Sequence, residues 1–439
     1  MSGLPLDHKY DDSRTYSLLA SGHTVGVFQL ESSGMQRVLR KLRPRTLEDI
    51  AAVVSLYRPG PMGANAHELY ARRQFVSLHE ELDGTLGSVL GKTYGLIVFQ
   101  EQVLQVLNII CGWDYGEAEL LFNAMRKKDH DKMAAAKPSY LAAGTSRSYS
   151  RAALDVLWET LVPFADYSFN KSHATGYALL AYETAYLKAH YPKEYMCSLL
   201  SSVNDEALVD QYGKPTKKKS YLEEVKRMGM LVIPPDINES DGDWAPSEEG
   251  VRFGLASIKG VGEKAYAALT AKRPYKDFDD FLMRVPAKGL NSGVITALAK
   301  AGALDSLEAS REALSEDDVV QDLTERAKAR REDRRKGQTR FRTTRLRVES
   351  QPVDIERRRE WELEVLGLAL SASSVRLVLP PLDDSGWAWL YRALSGPPGD
   401  SKVTLIVSGQ AVSIPARISL TDGLRSGLQA TGIVVEETS

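Results

Sequence analysis

Apolar residues recur at helical spacing along most of the first half of the chain. Val103, Val106, Leu107 and Ile110 share one face of a 3.6-residue period and predict a helix within 97–111. A second long helix is predicted over 177–190, stopped by Pro192. RTYSLLASG (14–22) reads as a short helix ending at Gly22, and MQRVLRKL (35–42) as an amphipathic helix with its basic residues outward. Between them TVGVFQL (24–30) is a brief apolar run that predicts a strand. RPGPM (58–62) breaks the chain sharply, because two prolines flank a glycine. Residues 1–205 therefore read as mainly helical.

The pattern changes further along. Residues 206–220, with KPTKKK, form a polar excursion that reads as a surface loop. YLEEVKRMGMLVIPPDIN (221–238) predicts a helix, a glycine turn and a buried strand closed by Pro234 and Pro235. Residues 251–307 are compact, helical and punctuated by glycine. From Arg326 to Arg347 there are eleven Lys/Arg against two acids and almost no aliphatic residue. Such a block cannot offset its ordering entropy by burial, so it predicts a flexible or partly helical linker. A small α/β unit is expected over roughly 385–437, with the helix WAWLYRAL and the strands KVTLIVSG and AVSIPARISL. The fold class expected is mainly α. Its parts are a helical region over 1–205, a compact region over 206–310, a linker with a connecting helix over 311–384, and an α/β tail over 385–439.

Composition narrows the function. At 439 residues and 43% hydrophobic the chain can bury a core and is long enough for two to four domains. A net charge of −2 gives no global basic field, so any nucleic-acid binding must come from local patches. Cys111 and Cys197 lie far apart in apolar helical contexts, which argues against a disulfide framework and structural zinc and fits a reducing cytoplasm. No stretch is long and apolar enough to span a membrane.

Five clusters carry candidate chemistry. GHTVGVFQLESSGM (22–35) is a glycine-rich turn into a helix, with Gln29, Glu31 and Ser32 at its exit. LYRPGPM holds Arg58 against a rigid turn, which suits a phosphate contact and is equally ordinary loop punctuation. VFQEQVLQ (98–105) is followed by EAELLFNAMRKKD (117–129), where Arg126, Lys127 and Lys128 either meet a polyanion or form a solvated helix end. YSFNKSHATGY (167–177) gathers Asn170, Lys171, Ser172 and His173. It divides evenly between a phosphate grip and a helix cap made by Asn170 or Ser172. LASIKGVGEKAYAAL (255–269) has the helix-hairpin-helix pattern. Apolar Leu255, Ile258, Val261 and Leu269 surround Gly260 and Gly262, and the turn offers backbone N–H groups to a DNA phosphate. Lys259 and Lys264 add charge there. A dinucleotide loop does not fit, because a third glycine and a βαβ pattern are missing.

Taken in order, GHTVGVFQLES, VSLYRPGP, TYGLIVFQEQVLQ, FNKSHATGYALLAYETAYLKAHYP, MLVIPPDINES and RFGLASIKGVGEKA resemble the fingers and following regions of the bacterial C-family replicative polymerase alpha subunit. The resemblance covers most of residues 10–310. It implies a fingers domain over 1–205 and a tandem helix-hairpin-helix region over 206–310. It implies phosphate-facing roles for Arg58, Lys171 and His173, with Arg126 and Lys127 as further cations and Gln100, Glu101 and Asn170 in support. Lys259, Gly260, Val261, Gly262 and Lys264 are expected to meet duplex DNA. LNSGVITALAKAGALDSL (290–307) resembles the second half of the tandem unit, with Ser292 and Gly293 where the family often has Lys or Arg. In KGQTRFRT (336–343), Gln338 and Phe341 fit a sliding-clamp peptide, although Arg342 replaces its second apolar anchor. REWELEVLGLALS (359–371) resembles the helix leading to the family's oligonucleotide-binding barrel, and the barrel itself is expected to be missing. The tail resembles the family's docking domain, which implies a clamp-loader subunit as a partner.

One departure bears on function. Where the family carries an Arg-Arg pair before Ala-Met, this chain has Phe122 and Asn123, which supply no charge. The family's metal-holding aspartates lie in a palm N-terminal to everything matched here. LPLDHKYDDSRTY resembles the segment just after them, and Asp7, Asp11 and Asp12 read as solvated loop acids. The expectation is a DNA-directed DNA polymerase part, cytoplasmic, that binds dNTP and primer–template. It is expected to work with a palm-bearing polypeptide that binds the Mg²⁺, and to hold no metal itself. Exposed apolar surface near residues 1–60 is the expected sign of a missing partner. The alternative is a non-catalytic DNA-binding or replisome-docking remnant, favoured by Phe122, Asn123 and the missing barrel.

Overall fold

The structure, a computed structural model, describes residues 9–73, 75–204, 207–286, 290–336, 346, 351–371, 374–395, 401–407, 410–418 and 421–438. The chain divides into two compact units, Met1–Pro192 and Lys193–Ser439.

The first unit is helical: α1 (Ser13–Ser21), α2 (Ser33–Leu42), α3 (Leu47–Leu56), α4 (Pro59–Gly63), α5 (Ala66–Ala71), α6 (Glu80–Leu90), α7 (Gln100–Cys111), α8 (Tyr115–Arg126), α9 (His130–Ser146), α10 (Arg151–Tyr167) and α11 (Lys171–His190). It holds two apolar clusters. In one, α11 lies along α3, and its fully buried Ala174, Ala178, Ala181 and Ala185 form a small-residue stripe that lets the helices approach closely. The other cluster fills the space among α6 to α10, where Val103, Val106, Leu107 and Ile110 are fully buried as their spacing predicted.

The strand expected over 24–30 is not formed. The segment is a chain of turns, with Val27 N–H donating to Thr24 O and Leu30 N–H to Val27 O. Among the described residues no strand pairs with it, and the backbone closes on itself while Val27 and Leu30 supply buried side chains. The loop is fastened to α11. Lys188, fully buried, donates from Nζ to the carbonyls of His23 at 2.9 Å and Val25 at 2.7 Å, and the Thr184 hydroxyl accepts from Phe28 N–H. Asp12 is not a solvated loop acid. It caps α1 by accepting from Thr15 N–H and the Thr15 hydroxyl, and it pairs with His190 at 2.9 Å. Exposed large apolar side chains begin at Phe75; among the described residues of 9–60 there are none.

The second unit opens with α12 (Pro192–Ser201) and α13 (Lys217–Arg227). A three-stranded sheet follows, of order β1–β3–β2, from β1 (Leu231–Ile233), β2 (Ala245–Pro246) and β3 (Gly250–Arg252). Then come α14 (Glu263–Thr270), α15 (Phe278–Arg284), α16 (Ser292–Lys300), α17 (Arg311–Leu314), α18 (Asp317–Arg335) and α19 (Ile355–Leu366). The basic segment expected as a linker is helical through Arg335. Val320, Leu323 and Ala327 give α18 a buried stripe at i, i+3 and i+7, and it packs on α15 and α16. Gln338 and Phe341 lie outside the described residues. A four-stranded sheet of order β6–β5–β4–β7 closes the chain, from β4 (Ser374–Leu379), β5 (Ser401–Val407), β6 (Gln410–Ile418) and β7 (Val434–Thr438), with α20 (Asp384–Leu394) and α21 (Asp422–Ala430). Its β4 lies upstream of residue 385 and pairs in parallel with β5, so the α/β unit starts earlier than the sequence suggested.

α19 is anchored by buried charge. Glu362, fully buried, accepts from Arg311 Nη1 at 2.8 Å, from the N–H groups of Leu370 and Ser371, and from the Ser371 hydroxyl. Arg358 pairs with the buried Glu312. Each unit holds one cysteine: Cys111 in the first and Cys197 in the second, both buried and free, with burial pushing each thiol up to about 12.

Candidate nucleic-acid interface

In the first unit two phenylalanines organise the candidate cations. A parallel bridge joins Phe99 to Phe169, with Phe169 N–H donating to Val98 O and Gln100 N–H to Phe169 O. Over this pair stand Arg58, its guanidinium 4.5 Å from the Phe169 ring centre, and Lys171, its ammonium 5.8 Å from the Phe99 ring centre. Arg58 is half-buried, fixed by Nε donating to Ser55 O, and burial lowers its pKa from the ordinary value. His173 is exposed and its ring lies tilted 4.4 Å from that of Tyr177 and 5.4 Å from that of Phe169, while Tyr177 makes a tilted contact with Phe28. Two of the expected phosphate contacts, Arg58 and His173, thus share one aromatic ladder running from Arg58 to Phe28, and Lys171 stands beside it over Phe99, which the backbone bridge ties to Phe169.

The supporting residues have framework geometry. Asn170 is the α11 cap, its Oδ1 accepting from His173 N–H at 2.8 Å. The Glu101 carboxylate accepts from Lys171 N–H at 3.1 and 2.9 Å, so an anion already sits at the α11 N-terminus. A second anion here must therefore be held by side-chain cations rather than by the helix end. Gln100 Nε2 donates to Ser168 O, which holds the turn before α11. Lys171 itself is exposed, so the cap and the grip coexist in one turn.

Arg126 and Lys127 end α8, beside the other apolar cluster. Both are exposed, and Arg126 donates to Asn123 Oδ1 at 3.2 Å. Neither takes part in the aromatic ladder formed by Arg58, Phe169 and His173. Phe122 is buried in the α6–α10 core, so that position supplies packing as well as lacking charge. Phe28, Phe99, Phe169 and Tyr177 carry no signal of a site in the sequence, because isolated aromatics have no spacing pattern. Only the bridge between 99 and 169 shows their grouping.

The hairpin in the second unit works through backbone. Leu255, Ile258, Val261 and Leu269 are buried, as the pattern requires, and Gly260 adopts φ +97°, which only glycine takes without strain. Two of its N–H groups are spent: Val261 donates to Ile258 O, and Lys259 donates to Val365 O on α19. Gly262 caps α14 without a side-chain bond. Among the described residues no acceptor meets the N–H groups of Gly260, Gly262, Glu263 or Lys264. These open donors, flanked by the exposed ammonium groups of Lys259 and Lys264, are suited to a phosphate. Val261 contributes a buried anchor instead. In the second half of the module Asn291 caps α16, its Oδ1 accepting from Val294 N–H.

Among the described residues no group of three or more His, Cys, Asp or Glu could hold a metal ion. Asp12 is occupied by Thr15 and His190, and Asp7 lies outside the described residues. No helix of the described residues is long and apolar enough to cross a membrane.

Comparison with known proteins identifies two matching regions. Residues 5–147 match the bacterial DNA polymerase III alpha subunit finger domain, and residues 229–314 match a helix-hairpin-helix motif. The DNA polymerase III subunit alpha of Mycobacterium tuberculosis (strain ATCC 25618 / H37Rv) is 40% identical over 313 residues, covering 69% of this chain and 26% of that protein. The subunit from Thermus aquaticus is 41% identical over 317 residues, 69% of this chain and 25% of its own. That from Campylobacter jejuni subsp. jejuni is 39% identical over 334 residues, 74% and 27%. The chain thus spans about a quarter of the length of these relatives. A finger domain followed by a helix-hairpin-helix motif, each in the unit where its geometry is found, places the chain in the bacterial DNA polymerase III alpha subunit family.

Proposed function

We propose that the chain serves template-directed DNA synthesis by binding the incoming dNTP and primer–template in its first unit and duplex DNA through the hairpin of its second. The observation that carries this reading is the convergence of Arg58, Lys171 and His173 on the Phe99–Phe169 pair. A half-buried guanidinium stacked on a ring is pre-oriented and partly desolvated, so its attraction for a phosphate is stronger than that of a free surface charge. Exposed Lys171 and His173 add adjustable donors. Arg126 and Lys127, beside another core, serve as a second line of charge along the primer–template path.

Chemistry itself needs carboxylates that hold metal ions against the primer hydroxyl and the leaving pyrophosphate. We assign that role to a palm-bearing polypeptide working with this chain, and the Mg²⁺ to that palm. A sliding clamp and a clamp-loader subunit are the further partners this reading includes. The test is reconstitution: the chain is co-expressed with a palm-bearing alpha-subunit portion and assayed for complex formation and primer extension. Rescue of extension that falls in Arg58→Ala supports the reading; absence of both complex and rescue defeats it.

Burial of Phe122 favours a second reading, a DNA-binding protein without catalysis, because a position where the resemblance leads one to expect an arginine is committed to the core here. It predicts salt-dependent duplex binding with no tightening by the matched nucleotide. Nucleotide-dependent stabilisation of a primer–template complex excludes it.

A further inference from the structure

We propose that the outward face of α2, with the turn that follows it, is a docking surface for double-stranded DNA, held by its phosphates through Arg37, Arg40, Arg43 and Arg45. Between Glu31 and Glu48 the chain carries five cations and no acid. Met35, Val38, Leu39 and Leu42 are buried and fix the core side of α2, so Arg37 and Arg40 stand on the opposite face. Arg43 and Arg45 follow the helix end, and all four arginines are exposed.

Three observations point to a phosphate backbone. The first is charge balance. The acids around the patch are engaged elsewhere: Glu68 pairs with Lys41, Asp49 with Arg73 and Glu48 with Lys92, while Glu31 accepts from Gly26 N–H. Among the described residues Arg37, Arg40, Arg43 and Arg45 have no carboxylate partner. All four are arginines, whose planar fork matches a phosphate with two parallel N–H donors. The second is a fixed platform. Arg73 pins the end of α2, donating from Nη2 to Leu42 O at 3.3 Å and Arg43 O at 3.1 Å. Asp49 accepts from Arg45 N–H at 2.8 Å, and the Arg40 side chain lies across Gly22, where a Cβ would come within 2.7 Å of Nη1. Binding therefore orders only the arginine side chains, not the chain that carries them. The third is the lack of an apolar anchor. Among the described residues of 9–60 no large apolar side chain is exposed. A protein partner is held around buried aromatic or aliphatic anchors, whereas a phosphate backbone requires none.

This inference rests on the DNA-binding reading above, and the experiment separates the two. The full-length chain is titrated by anisotropy against a fluorescein-labelled duplex of arbitrary sequence, over a range of salt concentrations. Arg37→Gln/Arg40→Gln/Arg43→Gln/Arg45→Gln should lower the slope of log affinity against log salt by about 3–4, since each neutralised phosphate contributes roughly 0.9. Arg37→Lys/Arg40→Lys/Arg43→Lys/Arg45→Lys keeps the charges and should keep the slope. Circular dichroism confirms that both variants stay helical. If the lysine variant loses the slope as the glutamine variant does, the loss comes from a disturbed α2 and the proposal falls. If the glutamine variant keeps the wild-type slope, the proposal is overturned and an acidic protein surface becomes the fitting occupant. The hairpin reading then still stands where Lys259→Gln/Lys264→Gln lowers the slope. If the wild type does not bind the duplex, both readings fall.

Discussion

Arg58 shows how one side chain can serve structure and function together. Its Nε is committed to Ser55 O and its face to Phe169, so its guanidinium is held in one orientation. Arg58→Lys keeps the charge but loses the planar stack and the fixed fork, so primer–template affinity in the reconstituted complex should fall by about 0.5–2 kcal/mol. Glu101 makes the opposite prediction. Glu101→Gln keeps an acceptor for Lys171 N–H but removes a negative charge beside the cations, so polyanion affinity should rise in the same anisotropy measurement. A fall would show that Glu101 contributes more by placing Lys171 than it costs by repulsion. Asp12 belongs to stability. Burial opposes its charge, but the bonds from Thr15 and His190 outweigh that and lower its pKa below the ordinary 3.8. A depressed carboxylate stabilises the fold above that value and loses the contribution as pH falls through the folded-state value. Asp12→Asn should therefore be less stable than wild type at pH 7, with the gap closing below about pH 4; denaturant midpoints across pH measure this.

Elements were legible where local rules and packing agreed. The helices ending at Gly22 and stopping before Pro192 followed from cap and breaker residues, and α11 simply starts earlier, at Lys171, because Asn170 caps it. The apolar run 24–30 misled because alternation says nothing about whether a strand partner exists. Buried Lys188 takes over the carbonyl pairing that a sheet neighbour would have supplied. The basic run is helical as far as Arg335, one of the two forms expected of it, because the burial stripe of α18, Val320, Leu323 and Ala327, lies mostly upstream of the charged residues and orders them from one end. Among site residues, Arg58, Lys171 and His173 were legible as cations in context, whereas the Phe99–Phe169 pair joining them comes from positions seventy residues apart. The Glu362 anchor was equally silent, since its partners come from two separate segments, Arg311 and the adjacent pair Leu370 and Ser371. Removing Glu362 leaves Arg311 its second carboxylate, Asp305, but takes the acceptor from the N–H groups of Leu370 and Ser371. Glu362→Ala should cost about 1–3 kcal/mol and strip hydrogen-exchange protection from α19 before the rest of its unit.

At the scale of the whole molecule, two phosphate-binding devices use different physics. The first unit offers side-chain cations on an aromatic ladder; the hairpin offers open N–H groups of Gly260, Gly262, Glu263 and Lys264. Charge substitutions should change the salt dependence of the first strongly. Gly260→Ala should weaken the second through strain at φ +97°, with little change in salt slope. The placement of the two cysteines gives each unit a separate clock. A buried thiol pushed up to about 12 is almost wholly protonated at pH 8, so alkylation must await local opening. Pulse alkylation followed by peptide mass analysis then yields two independent opening rates from the wild-type chain. A DNA ligand seated only on the hairpin should slow the labelling of Cys197 while leaving Cys111 at its original pace.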